Sequence, residues 1–262
     1  MRLICGLQPV REAIRAHGSA LSRVIVEAMR PPSPQLEAVA RFATDHGAPV
    51  ERLARAELDR MAKGARHQGA IAIAPELKII TIDDLVTSLA DSPPATGAPL
   101  LVALDELEDP QNFGAIIRSA VAMGATAIIW PEHRSAPLTP ATFRASAGAI
   151  EHARLCRVNA LPAALETLRE AGLTIIGLDT DAGEAIDTVD LTSPVVLVVG
   201  AEGKGLRKTV KRVCDQLARL PMNGPIASLN ASVALAIALY EVVRQRAAGS
   251  MPRGGVVDTR QP

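Results

Sequence analysis

The sequence predicts an α/β protein in which a small α/β unit precedes a larger domain built on a parallel sheet. From residue 100 onward, short apolar runs alternate with helical patterns, and several of these runs are apolar on both alternating faces. Strands buried in a parallel sheet beneath helices have this pattern. The proline-rich stretch DSPPATGAP, residues 91–99, is typical of a linker. We therefore expect domains at 1–75 and 100–246, joined by a linker at 76–99.

The first 75 residues predict alternating helices and strands. In chain order these are a helix at 9–16, a strand at 22–28, a helix at 33–46, a helical turn at 57–61 and a closing strand in GAIAIAPE. The loop KGARHQG before the closing strand contains Lys63, Arg66, His67 and Gln68. A flexible cationic loop can bind a phosphate backbone. A single histidine in such a loop is more often only solvated.

The larger domain is predicted from five apolar runs, each expected to form one strand. They are LLVALD, ATAIIWP, LTIIGLD, VVLVVG and LARLPM. After residue 246 the sequence AAGSMPRGGVVDTRQP is rich in glycine and proline and has no periodicity. We therefore expect a disordered tail at 247–262.

Composition narrows the class of protein. Apolar residues make up 48% of the chain and the mean hydropathy is +0.19, yet no run approaches the roughly 18 apolar residues of a membrane span. The opening MRLICGLQPV lacks the apolar stretch of a signal peptide, which predicts a cytoplasmic location. Cys5, Cys156 and Cys214 are odd in number and form no CxxC pair. We therefore expect neither a disulfide framework nor a zinc site.

The net charge is zero, but the charges are unevenly distributed. Residues 1–75 hold 11 Lys and Arg against 7 Asp and Glu, and residues 200–246 hold 8 against 3. The intervening residues 76–199 hold 7 against 17. Two basic regions around an acidic one would suit an anionic ligand bound from two sides. The alternative is that surface charge simply varies along the chain.

The stretch LDELEDPQNFGAIIRSAVAMGA predicts a strand end, an acidic turn and a helix. Asn112 lies where an N-cap is expected. Arg118 is surrounded in the sequence by small and apolar residues, where an unpaired cation would be costly. Ala115, Ser119 and Ala122 would let another backbone or a ligand approach closely. We expect Arg118 to face an anion or a partner subunit.

The stretch VVLVVGAEGKGL predicts a buried strand that runs into a glycine-rich loop. Ligands bind beyond the carboxyl ends of strands in open α/β sheets. The spacing GxxGxG matches neither the dinucleotide fingerprint nor the phosphate loop of nucleoside-triphosphate enzymes. Glu202 also argues against a phosphate site, because a carboxylate repels phosphate. Nicotinamide-dependent chemistry is therefore disfavoured.

The stretch PMNGPIASLNASVALAIALYE sets a polar loop against a long apolar helix. Ser228 is a plausible N-cap, which leaves Asn230 as a surplus polar group. No His, Asp or Cys lies nearby to activate Ser228 as a nucleophile, so a hydrolase triad is set aside.

Together, N-x-G-x-x-x-R (Asn112, Gly114 and Arg118), the GAEGKGL loop and PMNGPIASLNASVALAIALYE resemble three ordered motifs of the SpoU (TrmH-like) family of RNA ribose 2′-O-methyltransferases. The opening GLQPVREAI and the ARHQG loop resemble the substrate-binding domain of family members that methylate a guanosine of large-subunit rRNA. The resemblance covers nearly the whole chain except the tail. It implies a SPOUT-type parallel sheet with a C-terminal trefoil knot, preceded by a small α/β RNA-binding domain.

The same resemblance implies a cofactor, a partner and roles for the residues. The cofactor is S-adenosylmethionine, and family members are homodimers with active sites near the subunit interface. Arg118 either helps to remove the proton of the ribose hydroxyl or positions a phosphate and stabilises the developing alkoxide. In the catalytic site, Asn112 would orient Arg118 or the ribose, Glu202 would hold the loop or Arg118, and Ser228 and Asn230 would bind the substrate and shape the pocket. The other implied roles are backbone contacts to the cofactor by Gly200, Leu220 and Leu229, and RNA contacts by Lys63, Arg66, His67 and Gln68.

Several alternatives remain. A family member could instead methylate a tRNA ribose, or another rRNA site at which methylation confers antibiotic resistance. A protein of the same fold could also bind RNA or assist ribosome assembly without catalysis. The separate N-terminal domain favours the large-subunit rRNA enzymes.

Overall fold

The computed structural model describes residues 1–31, 33–91, 97–226 and 228–250, and for residues 249 and 250 it describes the backbone alone. The chain divides into two units. The first unit comprises Met1–Ile80, Glu108–Ala122 and Ala136–Cys156. The second unit comprises Thr81–Leu107, Met123–Ser135 and the described part of Arg157–Pro262.

Strands and helices alternate along most of the chain. In order they are β1 (Arg2–Cys5), α1 (Leu7–His17), β2 (Arg23–Glu27), α2 (Pro34–Asp45), β3 (Val50–Leu53), α3 (Arg55–Ala62), β4 (Ala70–Ala74), β5 (Ile79–Ile80), α4 (Ile82–Asp91), β6 (Leu100–Asp105), α5 (Pro110–Ala122), β7 (Ala127–Pro131), α6 (Pro140–Ser146), β8 (Leu155–Val158), α7 (Leu161–Glu170), β9 (Thr174–Leu178), β10 (Glu184–Ala185), β11 (Val195–Gly200), α8 (Lys208–Lys211), β12 (Gln216–Arg219) and α9 (Ala231–Ser250).

A four-stranded sheet in the order β1-β4-β2-β3 forms the centre of the first unit. β4 runs antiparallel to β1 and β2, and β3 runs parallel to β2. The apolar faces of α1 and α2 join the sheet in one core that includes Val10, Ile14, Val24 and Val39. The helices and strands predicted before residue 47 are confirmed. β1 and β3 were not predicted, because four half-exposed residues are too few to show a strand period.

A buried carboxylate connects distant parts of the first unit. The side chain of Glu151 is 1% exposed. It accepts hydrogen bonds from both terminal nitrogens of Arg2, at 3.0 and 2.7 Å, and from Nε2 of His17 at 2.8 Å. Burial raises the pKa of Glu151, but the hydrogen bonds from Arg2 and His17 outweigh burial and hold the pKa below its usual value. Glu151 is therefore ionised at neutral pH.

The second sheet has the strand order β10-β12-β9-β11-β6-β7-β8-β5. β6 is parallel to β7 and to β11, and β9 is parallel to β11 and to β12. Every residue of β6 and β11 is buried. The predicted parallel sheet of buried strands is confirmed, and all five apolar runs contain a strand. The trefoil knot implied by the family resemblance stays a prediction.

The range predicted as a linker contains regular structure. Within 76–99 lie β5 and α4, while residues 92–96 fall outside the described residues. α9 extends to Ser250, four residues into the predicted tail, and residues 251–262 fall outside the described residues. In the described part of the chain, no helix has both the length and the apolar character needed to span a membrane.

Candidate functional site

A cavity of about 360 Å³ lies at the carboxyl ends of β9, β11 and β12 in the second unit. Ligands bind at this end of open parallel sheets. The volume lies in the range of small-molecule sites. Five of the residues predicted from the motifs line the cavity: Gly200, Glu202, Leu220, Ser228 and Leu229.

The glycine-rich loop follows β11 and closes one side of the cavity. A Cβ on Gly200 would lie 2.2 Å from the carbonyl carbon and oxygen of Gly205, so no side chain fits there. The backbone of Gly205 is held against Gly200 because the N–H of Gly205 donates to the carbonyl oxygen of Ala201 at 2.9 Å. Gly203 and Gly205 have φ angles of 72° and 63°, which only glycine adopts readily. The GxxGxG spacing therefore encodes a tight return of the backbone.

An ion pair with a buried carboxylate fixes the end of this loop. Asp105 is the last residue of β6, pairs with Gly200 of β11, and is completely buried. One carboxylate oxygen accepts from Nε of Arg207 at 2.7 Å, and the other accepts from the backbone N–H of Arg207 at 2.8 Å. A terminal nitrogen of Arg207 lies 3.2 Å from Glu106. Asp105 and Arg207 were not singled out in the sequence, although Arg207 directly follows the GAEGKGL motif.

Charged groups around the cavity are mostly acidic. Asp179 and Asp181 follow β9, and Glu202 lies in the glycine-rich loop. Lys211 forms an ion pair with Asp179, and Lys204 also lines the cavity. Carboxylates at a site of this kind favour a ligand that carries positive charge.

Cys214 does not supply a nucleophile near the cavity. Burial raises the pKa of its thiol to about 12, and the nearby charges of Asp215, Asp105 and Asp179 add to this effect. A thiol with this pKa stays protonated at neutral pH, so it is unreactive.

Asn230 begins helix α9 and also contacts the glycine-rich loop. Its side-chain oxygen accepts from the N–H of Ser232 at 2.9 Å and from the N–H of Val233 at 3.3 Å. Its amide nitrogen donates to Glu202. The prediction that Ser228 caps this helix is wrong, because Asn230 is the cap. Ser228 is exposed and lines the cavity instead.

Asn112 is the third residue of α5 and is 7% exposed. The prediction that it caps this helix is wrong. The cap is Asp109, whose carboxylate accepts from the N–H of Gln111 at 3.0 Å and from the N–H of Asn112 at 3.3 Å. Capping therefore does not explain an asparagine at this position.

Gly114, the second residue of the N-x-G-x-x-x-R motif, lies where α5 meets α6. A Cβ on Gly114 would lie 2.5 Å from Cβ of Ala145 and 2.5 Å from the carbonyl oxygen of Thr142. The two helices can approach this closely only at a residue without a side chain. The expectation that Ala115, Ser119 and Ala122 let another backbone or a ligand approach closely stays a prediction.

Arg118 is exposed on α5, although Ile117 before it and Ala120 two residues after it are buried. Within one chain the guanidinium therefore pays no burial cost, and the expectation that Arg118 faces an anion or a partner subunit stays a prediction. Across residues 1–31, 33–91, 97–226 and 228–250, Arg118 forms no hydrogen bond or ion pair. Its charge is thus available to an anionic ligand.

The loop at 63–69 has a buried histidine. The N–H of Gly69 donates to Nδ1 of His67 at 3.0 Å, so Nε2 carries the proton and donates to Asp59 at 2.9 Å. The expectation that His67 is only solvated is wrong, since it is 5% exposed. The side chains of Lys63, Arg66 and Gln68 are exposed. His67 holds the loop, and the other three are accessible to a ligand.

Comparison with protein families decides the classification. Residues 99–240, more than half of the chain, match the SpoU rRNA Methylase family. The chain belongs to this family. Residues 3–79 also match the family described as RNA 2′-O ribose methyltransferase substrate binding. The two matches together include all twelve predicted site residues.

Relatives of this SpoU family chain occur in mycobacteria. An uncharacterized tRNA/rRNA methyltransferase of Mycobacterium ulcerans is 40% identical over 243 residues, which cover 93% of this chain and 77% of the relative. An uncharacterized tRNA/rRNA methyltransferase of Mycobacterium tuberculosis is 40% identical over 250 residues, which cover 95% of this chain and 76% of the relative.

Solved structures of SpoU methyltransferases share the fold. The methyltransferase AviRb of Streptomyces viridochromogenes, in complex with its cofactor AdoMet, is 28% identical with a TM-score of 0.71, and the match covers 94% of this chain and 90% of AviRb. An AdoMet-bound rRNA methyltransferase of Sinorhizobium meliloti is 27% identical with a TM-score of 0.71, and the match covers 92% and 86% of the two chains.

Proposed function

We propose that this protein transfers a methyl group from S-adenosylmethionine to a ribose 2′-hydroxyl of RNA, on a guanosine of large-subunit rRNA in the cytoplasm. One observation carries the proposal: four residues from two separate family motifs, and Leu220 just before the second of these motifs, line one cavity at the carboxyl ends of the sheet. The family match supports RNA methylation, and the match to a separate substrate-binding family supports a structured RNA.

The cavity suits S-adenosylmethionine in size, shape and charge. Gly200 lines the cavity, and its missing side chain lets the backbone of Gly205 pack against it, which shapes this wall. Leu220 and Leu229 offer apolar surface to an adenine ring, and the carboxylates of Asp181 and Glu202 favour a cationic ligand. When bound, S-adenosylmethionine supplies a methyl group on a positively charged sulfur. AviRb and the Sinorhizobium meliloti enzyme were crystallised with AdoMet.

The chain must orient the ribose hydroxyl and stabilise the charge that develops on its oxygen. A guanidinium stays protonated at neutral pH, so Arg118 acts here as a cation that positions a phosphate and stabilises the alkoxide. Water accepts the proton of the hydroxyl. Asn112 orients the ribose or Arg118. Glu202 and Asn230 hold each other, and Ser228 contacts the substrate from the lining of the cavity.

The first unit holds the RNA through the loop at 63–69. Lys63 and Arg66 are exposed. Exposed lysine and arginine side chains bind phosphates without reading the base sequence. Gln68 can donate to a ribose or base. His67 positions the loop through Asp59 and does not contact RNA itself.

A second copy of the chain covers an apolar stripe on α9. Val233, Ile237, Tyr240 and Val243 are between 39% and 57% exposed and recur at helical spacing, so they share one face. A stripe of this kind on a helix next to a functional cavity is typical of an interface. If the protein is a homodimer, its mass in solution is twice the 27.5 kDa of one chain. A mass of one chain in sedimentation equilibrium would exclude the dimer.

The decisive experiment supplies the protein with labelled S-adenosylmethionine and either unmodified large-subunit rRNA or unmodified tRNA. We expect one 2′-O-methylated guanosine in the rRNA. Label in tRNA alone would support methyl transfer to RNA and contradict the proposal that rRNA is the substrate. Binding of the cofactor without transfer to either RNA or to assembling large subunits would favour a protein that binds RNA without catalysis.

A further inference from the structure

The segment that follows the glycine-rich loop is strongly basic. Residues 203–214 contain no Asp or Glu and five cations: Lys204, Arg207, Lys208, Lys211 and Arg212. Such a concentration is notable in a chain whose net charge is zero. It accounts for most of the basic excess between residues 200 and 246.

Two of the five cations are neutralised within the second unit. Arg207 contacts the buried carboxylate of Asp105 and also Glu106. Lys211 forms an ion pair with Asp179, whose side chain is 6% exposed. These two side chains therefore serve the internal structure of the unit.

The other three cations, Lys204, Lys208 and Arg212, are exposed. None of them forms an ion pair or a hydrogen bond with any residue that the structure describes. Lys208 is the first residue of the short helix α8, and Arg212, with helical backbone angles, follows its last residue. Four residues apart on a helical backbone, the two side chains project from the same side about 6 Å apart along the axis. The segment is anchored from its other side by Val210 and Val213, which are buried.

The basic segment runs past the cavity. Lys204 occupies the tip of the glycine-rich loop and lines the cavity. Lys211, which lies between Lys208 and Arg212 in the sequence, lines the cavity as well. Like charges held close together repel one another, and no carboxylate of the segment offsets this cost. A polyanion that lies along the segment would offset it at three points.

We propose that Lys204, Lys208 and Arg212 form a phosphate-binding ridge, which binds the backbone of the RNA substrate next to the methyl-transfer cavity. This inference rests on the proposed RNA substrate. The ridge belongs to the second unit, so it is a second RNA contact in addition to the loop at 63–69. It positions the strand from which the target ribose enters the cavity. Lysine and arginine side chains that contact phosphates fix register without reading bases.

The test compares two double variants of the full-length protein. K208A/R212A removes two ridge cations that do not line the cavity. R157A/R169A is the control, because these arginines are also about half exposed in the second unit, at 47% and 45%, but have carboxylate partners at 3.7 and 3.9 Å. The dissociation constant for an unmodified large-subunit rRNA transcript is measured by filter binding at several salt concentrations, together with the dissociation constant for S-adenosylmethionine.

We expect K208A/R212A to weaken RNA binding about tenfold. The logarithm of the association constant for RNA should also fall less steeply with the logarithm of the salt concentration, by about 1.5 in slope, because each phosphate contact contributes about 0.7–0.9. The control should bind RNA as the wild type does, and both variants should keep the wild-type affinity for S-adenosylmethionine. K208R/R212K, which keeps both charges, should restore RNA binding.

An unchanged affinity and salt slope in K208A/R212A would overturn the ridge, as would an equal loss in the control variant. The proposed function fails in a different way, namely if the wild type binds RNA and transfers no methyl group to rRNA, tRNA or assembling subunits. The binding comparison between the two variants is independent of transfer, so the two failures are distinguishable.

Discussion

The buried carboxylate of Asp105 forms an ion pair with Arg207, 102 positions further along the chain, and so joins the end of β6 to the end of the glycine-rich loop. The carboxylate accepts from both the backbone and the guanidinium of Arg207, so it fixes the position and the direction of the chain at that point. Because Gly200 of β11 lies opposite Asp105 in the sheet, the loop from Gly200 to Arg207 is held at both ends. The pair therefore shapes the wall of the cofactor cavity.

Arg207→Ala should weaken the binding of S-adenosylmethionine while leaving turnover at saturating cofactor nearly unchanged. The variant leaves the buried carboxylate of Asp105 with only the backbone N–H, and we expect it to lose about 2 kcal/mol of unfolding free energy. Isothermal titration with the cofactor and urea denaturation measure the two effects. Arg134→Ala is the control, since Arg134 is 74% exposed and contacts only Glu106 of this network. Equal effects of the two variants would contradict a specific role for Arg207.

Gly200→Ala should distort the loop. Its new Cβ would overlap the backbone of Gly205 at 2.2 Å, and backbone cannot move aside as a flexible side chain can. Strain of about 1–3 kcal/mol placed on the binding conformation corresponds to a loss of affinity for S-adenosylmethionine of about 5- to 150-fold. Gly183→Ala is the control, because nothing lies within 4 Å of a Cβ there. Wild-type affinity in Gly200→Ala would remove this loop from the cofactor site.

The sequence predicts most of the sheet and the loop because both depend on local pattern. β6 and β11 are continuous apolar runs, and glycine spacing marks the tight return after β11. The pair between Asp105 and Arg207 depends instead on the register of two parallel strands, which no local pattern specifies. The N-caps of two helices were predicted at the wrong residues. Ser228 was predicted to cap α9, which Asn230 caps, and Asn112 was predicted to cap α5, which Asp109 caps. Several capping residues lie close together in each loop, and only the position of the first helical turn decides which of them caps.

Gly114→Ala should destabilise the first unit. The added methyl group would lie 2.5 Å from both Cβ of Ala145 and the carbonyl oxygen of Thr142, so α5 and α6 must move apart. Overpacking of this kind costs about 1–3 kcal/mol, which outweighs the better helix propensity of alanine. Urea denaturation measures the change. The double variant G114A/A145G should recover only part of the loss, because the clash with Thr142 remains. Full recovery would show that the carbonyl contact is unimportant.

Glu151→Gln should lower the unfolding free energy at neutral pH. The unfolding free energy of the variant should also decrease less than that of the wild type as the pH falls. The folded pKa of Glu151 is below the unfolded value, so the ionised form stabilises the fold above the unfolded pKa, and this contribution is lost as the pH falls through the folded pKa. Wild-type stability should therefore fall below about pH 4.3, where the glutamate of the unfolded chain is half protonated. Urea denaturation between pH 7 and pH 3 tests this. Glu132→Gln is the control, because Glu132 is 42% exposed and its arginine lies 3.7 Å away.

Arg118→Ala should abolish most methyl transfer and leave the binding of S-adenosylmethionine unchanged. Arg118 is exposed in the first unit, whereas the residues that line the cavity all belong to the second, so its loss does not alter that lining. Removal of a group that stabilises developing charge typically lowers kcat by about 10²–10³. Arg118→Lys keeps the charge but loses the planar fork, and should retain an intermediate rate if charge on the alkoxide is what matters. Arg144→Ala, which removes another exposed arginine of the first unit, is the control. Single-turnover rates with labelled cofactor separate transfer from binding, and an unchanged rate in Arg118→Ala would exclude Arg118 from the reaction.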